Sequence, residues 1–304
     1  MATSAPPELN LDTFDAYVAA GGVVNASDPM PDGYRQSIGR VVSFQVLAEI
    51  VGATLFTAWL DKVPSLERKL ILTAKCQDEL GHAQVLARVA EDLGFDRRET
   101  VEDYLQGRAK LLNIFHYHVE TWPEVAAASL LQNSSAIVQF QSLVRGSYHP
   151  YVRALRKIMR EESFHYHQAL DLATTLMREG NDWARSELQR GVDKWFPLLL
   201  AYFGPPDSHR PDQQNLHWRI KVDFNDELRQ RWVDKIVPVV RGLGLEVSDP
   251  RLRQLDDGSW EFTMPDWDEV KRVIQGGGPA SAERMELIRR RNTDQSWVAG
   301  VLAA

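Results

Sequence analysis

The chain has 304 residues, enough to bury a sizeable core as one large domain or as one domain with appendages. A hydrophobic share of 44% and a charged share of 25% are ordinary for a globular protein, and a net charge of −7 argues against nucleic acid or an anionic membrane as the main partner. The single cysteine, Cys76, rules out an internal disulfide.

In chain order, residues 1–30 are small and polar and read as a flexible leader. They have neither a basic start nor a long apolar run, so no secretory signal is seen. No uncharged apolar stretch is long enough to span a bilayer, and the cytoplasm is the expected compartment. A helix-period pattern begins near Tyr34 and runs through Phe44, Leu47, Ile50 and Val51 to about Leu60. Pro64-Ser65 reads as a turn and helix start, and the next pattern continues to Leu93-Gly94, with the glycine as C-cap. A third long helix is expected from Pro123 to about Ser147, and a fourth from near Pro150 to Gly180. Proline and glycine stand at the joints and not inside these helices. Two further helices are expected over Asp182–Phe203 and Asn225–Gly242, separated by a polar loop, Gly204–Asn215. Leu245–Pro265 looks irregular, with a short hairpin around Asp256-Asp257-Gly258. Gly276-Gly277-Gly278-Pro279 sets off a charged terminal helix. The fold class is all-α: a four-helix bundle over 31–204, with additional C-terminal helices and an irregular extension over 205–304.

The chemistry sits in two short pairs, Glu79-Leu80-Gly81-His82 and Glu162-Ser163-Phe164-His165. On a helix, a glutamate and a histidine three residues apart project from the same face. Two such helices, with carboxylates from two others, can hold a pair of iron or manganese ions in a bundle core. Glu49 lies in the nearly uncharged stretch Val46–Gly52, where an unpaired carboxylate is costly and a divalent cation would remove the penalty. Asp78 and Glu161 point about 100° away from the ligand face and suit supporting or surface positions. His116, His118, His149, His167, His209 and His217 read as surface or hydrogen-bonded residues, and Cys76 as a small buried hydrophobe.

These stretches resemble the catalytic-subunit family of bacterial phenylacetyl-coenzyme A epoxidases, which are ferritin-like di-iron proteins. The resemblance runs from about Met30 to the Trp297 region. It is carried by Ala48–Gly52, Lys75–His82, Glu161–His165 and Asn225-Asp226-Glu227-Leu228-Arg229-Gln230-Arg231. It implies Glu49, Glu79, His82, Glu162 and His165 as ligands of two irons, with manganese as the alternative metal. Alignment through Ala136-Ile137-Val138 puts Asn133 where the family has a sixth ligand, an aspartate. Asparagine brings no charge, which should weaken metal binding and raise the reduction potential. Three outcomes stay open: an active site with Asn133 or water as ligand, a site tuned to a related substrate, or an impaired one. The resemblance also implies coenzyme A contacts from Arg40, Lys110, Lys221 and Asn225.

The implied activity is epoxidation of the ring of phenylacetyl-coenzyme A, or a related aromatic acyl-coenzyme A, using O2. No flavin or iron–sulfur motif is present, so electrons must come from a separate flavin/iron–sulfur reductase. A non-catalytic ferritin-like structural subunit completes the implied hetero-oligomer. The rival readings are a scaffold component of the same kind of complex and a ferritin-like metal-storage protein.

Overall fold

Several long helices start at a side-chain cap or at a proline in the first turn. The computed structural model describes residues 8–209 and 214–294. The elements in order are α1 (Phe14–Ala19), α2 (Asp32–Thr57), α3 (Leu66–Glu91), α4 (Arg97–Leu105), α5 (Trp122–Leu143), α6 (His149–Glu179), α7 (Asp182–Leu200), α8 (Gln214–His217) and α9 (Asn225–Gly242). Then come β1 (Arg253–Gln254), β2 (Trp260–Glu261), α10 (Trp267–Arg272) and α11 (Ser281–Asp294). The Ser65 hydroxyl accepts the Arg68 N–H at the head of α3, Thr121 accepts that of Glu124 at α5, and Asn181 accepts that of Ala184 at α7. Pro123 and Pro150 occupy first-turn positions in α5 and α6, where no backbone N–H is needed. Gly94 ends α3 at φ +86°, the left-handed turn that its lack of a Cβ permits.

Helices α2, α3, α5 and α6 form the bundle, with α2 packed on α3, α5 on α6, and α3 on α6. Helices α3 and α6 run antiparallel: Arg68 pairs with Asp171, Asp78 with His165 and Glu161 with His82. Helix α2 is apolar and long enough to cross a membrane by composition alone, but most of its apolar window is buried within the fold. Helix α7 closes on α5 where Gly191 faces Ala127; a Cβ on Gly191 would stand 2.7 Å from that of Ala127. Helix α9 is tied to α5 by the Trp232 indole N–H, which donates to Ser134 Oγ at 2.8 Å, and to α7 by stacking of Trp232 on Phe196. The chain is thus all-α and ferritin-like, with only a two-stranded hairpin of sheet among the described residues. The hairpin turns at Gly258 (φ +84°), as the Asp256-Asp257-Gly258 signal predicts.

Several expected boundaries move, each for a visible reason. The third helix stops at Leu143 and not near Ser147, because residues 146–149 are clamped. Val24 exchanges backbone hydrogen bonds with Ser147 and His149 at 2.9 Å, and the Ser147 N–H donates to Arg219 O at 2.7 Å. Helix α7 stops at Leu200, whose carbonyl accepts from the fully buried Arg229 guanidinium at 2.8 Å. Helix α4 is absent from the expected elements: five of its nine residues are charged and Tyr104 is its one buried side chain, so no apolar period announces it.

The described part of the expected flexible leader is built into the fold. Phe14, Val18, Val24 and Met30 are buried against Tyr34, Ile38 and Trp218, and Phe14 meets Tyr34 edge-on. Small polar composition hid four apolar anchors spaced too widely to show a period. Residues 1–7 of that leader, 210–213 of the polar loop and 295–304 of the terminal extension lie outside the described residues.

Removing an anchor tests this packing. Phe14→Ala should cost about 3 kcal/mol in urea denaturation, the usual loss for a buried aromatic. Leu11→Ala, at an exposed position of the same segment, should cost under about 0.5 kcal/mol.

Candidate metal centre

Three apolar clusters of buried residues pack the fold, and a group of acidic and imidazole side chains is buried with them. Helix α2 contributes Glu49, α3 contributes Glu79 and His82, and α6 contributes Glu162 and His165; all five are buried. Ligand atoms of Glu49, Glu79, His82 and Glu162 lie within 4.8 Å of one another. His165 Nδ1 joins them, 3.7 Å from Glu79 Oε1 and 3.6 Å from Glu162 Oε1. His82 Nδ1 is 3.4 Å from Glu49 Oε2 and 3.7 Å from Glu162 Oε1. The five charged or imidazole ligands expected from the sequence therefore converge.

The histidines are fixed from behind. His82 Nε2 meets Glu161 Oε2 at 2.8 Å, and His165 Nε2 meets Asp78 Oδ2 at 3.2 Å. The support is reciprocal: the α6 carboxylate holds the α3 imidazole, and the α3 carboxylate holds the α6 imidazole. Asp78 and Glu161 thus take the supporting role that the helix rotation suggested. The two Nδ1 atoms face the carboxylates and have no hydrogen-bond partner of their own. A ring whose outer nitrogen donates to a carboxylate presents its inner nitrogen as a metal ligand.

Asn133, on α5, is also buried, but its carbonyl oxygen is engaged. It accepts from Lys75 Nζ at 3.0 Å, and the same ammonium lies 3.2 Å from Glu79 Oε1 and over the Phe56 ring. Asn133 Nδ2 has no partner. Lys75 went unremarked among the expected site residues, although its i,i+4 spacing to Glu79 is the signal that could have found it. Gln45 was missed for the same reason, four residues before Glu49: its Nε2 donates to Glu49 Oε1 at 3.1 Å, and its Oε1 accepts from the Tyr151 hydroxyl.

The electrostatics fit a cation. Burial and the neighbouring Glu79 and Glu162 push the Glu49 carboxyl well above its usual range, although the facing His82 imidazole opposes them. Burial works hardest against the Glu79 charge, but Lys75, Glu49 and the two imidazoles together outweigh it and hold that group at about 2. Burial disfavours the His82 cation, yet Glu49, Glu162 and Glu79 raise it to about 9. Protons on Glu49 and His82 thus balance the cluster when no metal does so. The donor set of carboxylate oxygens and imidazole nitrogens is one that iron and manganese accept.

Two small apolar pockets adjoin the cluster. One, about 50 Å3, is lined by Phe56, Lys75, Val125, Asn133 and His165 among others, and the other, about 30 Å3, by Gly52, Phe56, Val125 and Trp195. At Gly52 a Cβ would sit 3.8 Å from Glu79 Oε2, in ordinary van der Waals contact, so this face of α2 lies directly against the cluster.

The four expected coenzyme A contacts are not gathered around one cavity among the described residues. Arg40 is exposed on α2, and Lys110 lines a separate cleft with His116 and Arg284. Lys221 and Asn225 do meet, with Lys221 Nζ donating to Asn225 Oδ1, while Asn225 Nδ2 donates to Pro205 O at 2.8 Å. Asp226 and Arg229 complete this clamp: Asp226 exchanges hydrogen bonds with Asp207, and Arg229 binds Asp226 and the Gly204 carbonyl. The Asn225–Arg231 segment carries a structural load, which explains a specific sequence there without metal chemistry.

The family model for the phenylacetic acid catabolic protein matches residues 7–297. The chain belongs to that family. It is 38% identical over 290 residues to a protein of Escherichia coli (strain K12) named as a subunit of 1,2-phenylacetyl-CoA epoxidase, covering 94% of this chain and 93% of the relative.

Metal uptake should therefore release protons. His82, raised to about 9, stabilises the metal-free fold below its unfolded value near 6.5 and loses that contribution as the pH climbs through 9. Metal affinity should rise over the same window, because the cation displaces the proton. Titration calorimetry at pH 7 in buffers of different ionisation enthalpy should show net proton release. An enthalpy independent of buffer would contradict this.

Proposed function

We propose that this protein is the catalytic subunit of a multicomponent di-iron monooxygenase that epoxidises the ring of phenylacetyl-coenzyme A, or a related aromatic acyl-coenzyme A, in cytoplasmic phenylacetate catabolism. The observation that carries the reading is the pair of imidazoles held from behind by carboxylates, with their free nitrogens turned onto three buried glutamates. Similarity over nearly the full length to a 1,2-phenylacetyl-CoA epoxidase subunit supports the same conclusion.

Glu49, Glu79, Glu162, His82 and His165 would hold the two irons, which when bound supply the oxygen-activating chemistry. The balance is one acyl-coenzyme A, one O2, two electrons and two protons giving one epoxide and one water. The protein binds and orients the ring and excludes water, while the remote coenzyme A portion of the substrate provides binding energy. The apolar walls at Phe56, Val125 and Trp195 suit an aromatic ring beside the cluster, with Phe56 lining both pockets. Arg40, Lys110, Lys221 and Asn225 are the proposed contacts for the coenzyme A portion, cations being suited to its phosphates. Electrons come from a separate flavin/iron–sulfur reductase, and a ferritin-like structural subunit completes a hetero-oligomer.

Asn133 leaves three carboxylates for two divalent cations, and its carbonyl oxygen is already bound to Lys75. Metal on the Glu79–His165 side must compete with that ammonium. The site retains five of the six family ligand types and remains a catalytic one in this reading, more weakly loaded on one side.

Anaerobic loading with ferrous ion should give about two irons per chain. Storage predicts far more, and a scaffold none. Asn133→Asp should tighten the weaker iron about tenfold or more, the size of effect expected when a supporting or ligating group is changed. Turnover of phenylacetyl-coenzyme A with reductase and structural subunit present should rise with iron occupancy. Glu79→Ala should abolish both loading and turnover. If iron binds and no aromatic acyl-coenzyme A turns over, the epoxidase assignment fails.

A further inference from the structure

The outer side of α6 carries charge that the metal centre does not use. Arg153, Arg156, Lys157 and Arg160 are all exposed, and their spacing confines them to about 100° of the helix circumference. Lys157 pairs with Glu161 at 2.8 and 3.0 Å. Arg153 reaches the Asn25 side-chain oxygen at 3.5 Å, and Arg156 and Arg160 form no ion pair with any described carboxylate. Burial, together with Arg156 and Arg153, holds the imidazole of His149 below its usual value, so the field of this stripe reaches the start of the helix. In a chain of net charge −7, four clustered cations with one carboxylate partner mark a surface for an acidic macromolecule.

What lies beneath selects the kind of partner. Glu161 is 30% exposed and joins Lys157 to His82 Nε2. His82 is 1% exposed, and its other nitrogen faces Glu49 and Glu162. One carboxylate and one imidazole therefore separate the basic surface from the ligand cluster. His165 has a matching carboxylate in Asp78, but the adjacent exposed residues there, Gln77 and Phe164, are uncharged. Of the two imidazoles, only His82 is reached from a cationic surface.

We propose that this α6 face is the docking surface for the electron donor: an acidic protein carrying a one-electron redox group, seated over Glu161. The proposal rests on the oxygenase reading above. The donor's group is oxidised by one electron in each of two encounters. With two protons from water, these electrons reduce one atom of O2 to water while the other enters the substrate. The arginines steer and orient the donor, and Glu161 and His82 mark a bonded route inward from this surface.

The test measures binding of the full-length protein, metal-free and iron-loaded, to its flavin/iron–sulfur reductase, with a plant-type ferredoxin as a second acidic probe. Wild-type affinity should fall steeply between about 50 and about 300 mM NaCl. The variant Arg153→Glu/Arg156→Glu/Arg160→Glu should weaken donor binding about 10- to 100-fold and flatten the salt dependence. In turnover it should raise KM for the donor while kcat at saturating donor is retained. Arg178→Glu, exposed near the far end of the same helix, should bind donor as wild type does. Circular dichroism melts check that both variants fold. Unchanged donor binding by the triple variant would overturn the proposal. So would a loss confined to the structural subunit, to phosphatidylserine vesicles or to duplex DNA with donor affinity intact. Donor binding is read on metal-free protein, so a failure to load iron counts against the oxygenase reading and leaves the docking result separately legible.

Discussion

Three glutamates buried in the middle of a helical bundle are the constraint around which the rest of the structure is arranged. Each carboxylate taken out of water costs several kcal/mol unless charge and hydrogen bonds are returned to it. The protein returns them from several directions. Lys75 lies against Glu79, Gln45 donates to Glu49, and the Nδ1 atoms of His82 and His165 face the gap. Even so, burial leaves Glu49 pushed upward and Tyr151 and Tyr202 beside it pushed the same way. A purely apolar centre would be cheaper to fold. Retaining this one makes sense where a cation supplies the missing charge, because then the same residues that destabilise the empty core stabilise the loaded one.

How much of this could be read from sequence depends on whether each residue advertises itself through a period or a spacing. The four bundle helices did, since their apolar periods are long and prolines stand at their ends, although Gly39 and Gly52 fall inside α2 and Gly81 inside α3. The five convergent ligands did as well: a glutamate and histidine three apart, found twice, with Glu49 stranded in an apolar stretch. Helix α4 gave no period because it buries a single side chain, Tyr104. The N-terminal segment gave none because Phe14, Val18, Val24 and Met30 are anchors on a mostly irregular chain. Lys75 illustrates a third kind of silence. A lysine on a helix is normally a solvated charge, and only the tertiary fold shows that it faces Asn133 and Glu79. Asn225 reads as a ligand contact by resemblance, yet its side chain is occupied in closing the Pro205 loop.

The two halves of the cluster are related by a near-exchange of roles between α3 and α6, but their surroundings differ. On one side His82 is backed by Glu161, which Lys157 holds at the surface. On the other, His165 is backed by Asp78, and the adjoining corner is occupied by Lys75 bound to Asn133. A neutral side chain at position 133 cannot neutralise the ammonium as a carboxylate would, so the positive charge of Lys75 falls more fully on Glu79. That fits the low value of about 2 held by Glu79, while Glu49, with no cationic side chain against it but His82, moves upward. The asymmetry is electrostatic in origin: Lys75 stands against Glu79, whereas burial and the neighbouring carboxylates raise Glu49.

Helix α5 therefore does two jobs that cannot be separated. Its inner face presents Asn133 to Lys75, and the next residue, Ser134, accepts the Trp232 indole from α9. Trp232 is itself stacked on Phe196 of α7, and α9 begins at the clamp in which Arg229 binds the carbonyls of Leu200 and Gly204. The C-terminal helices are thus bonded to the residue beside the cluster and do not merely cover the bundle. Close packing transmits small displacements because side chains at such density have few places to go. Through Ser134 the extension is tied to the helix that carries Asn133, even though it supplies none of the five converging side chains.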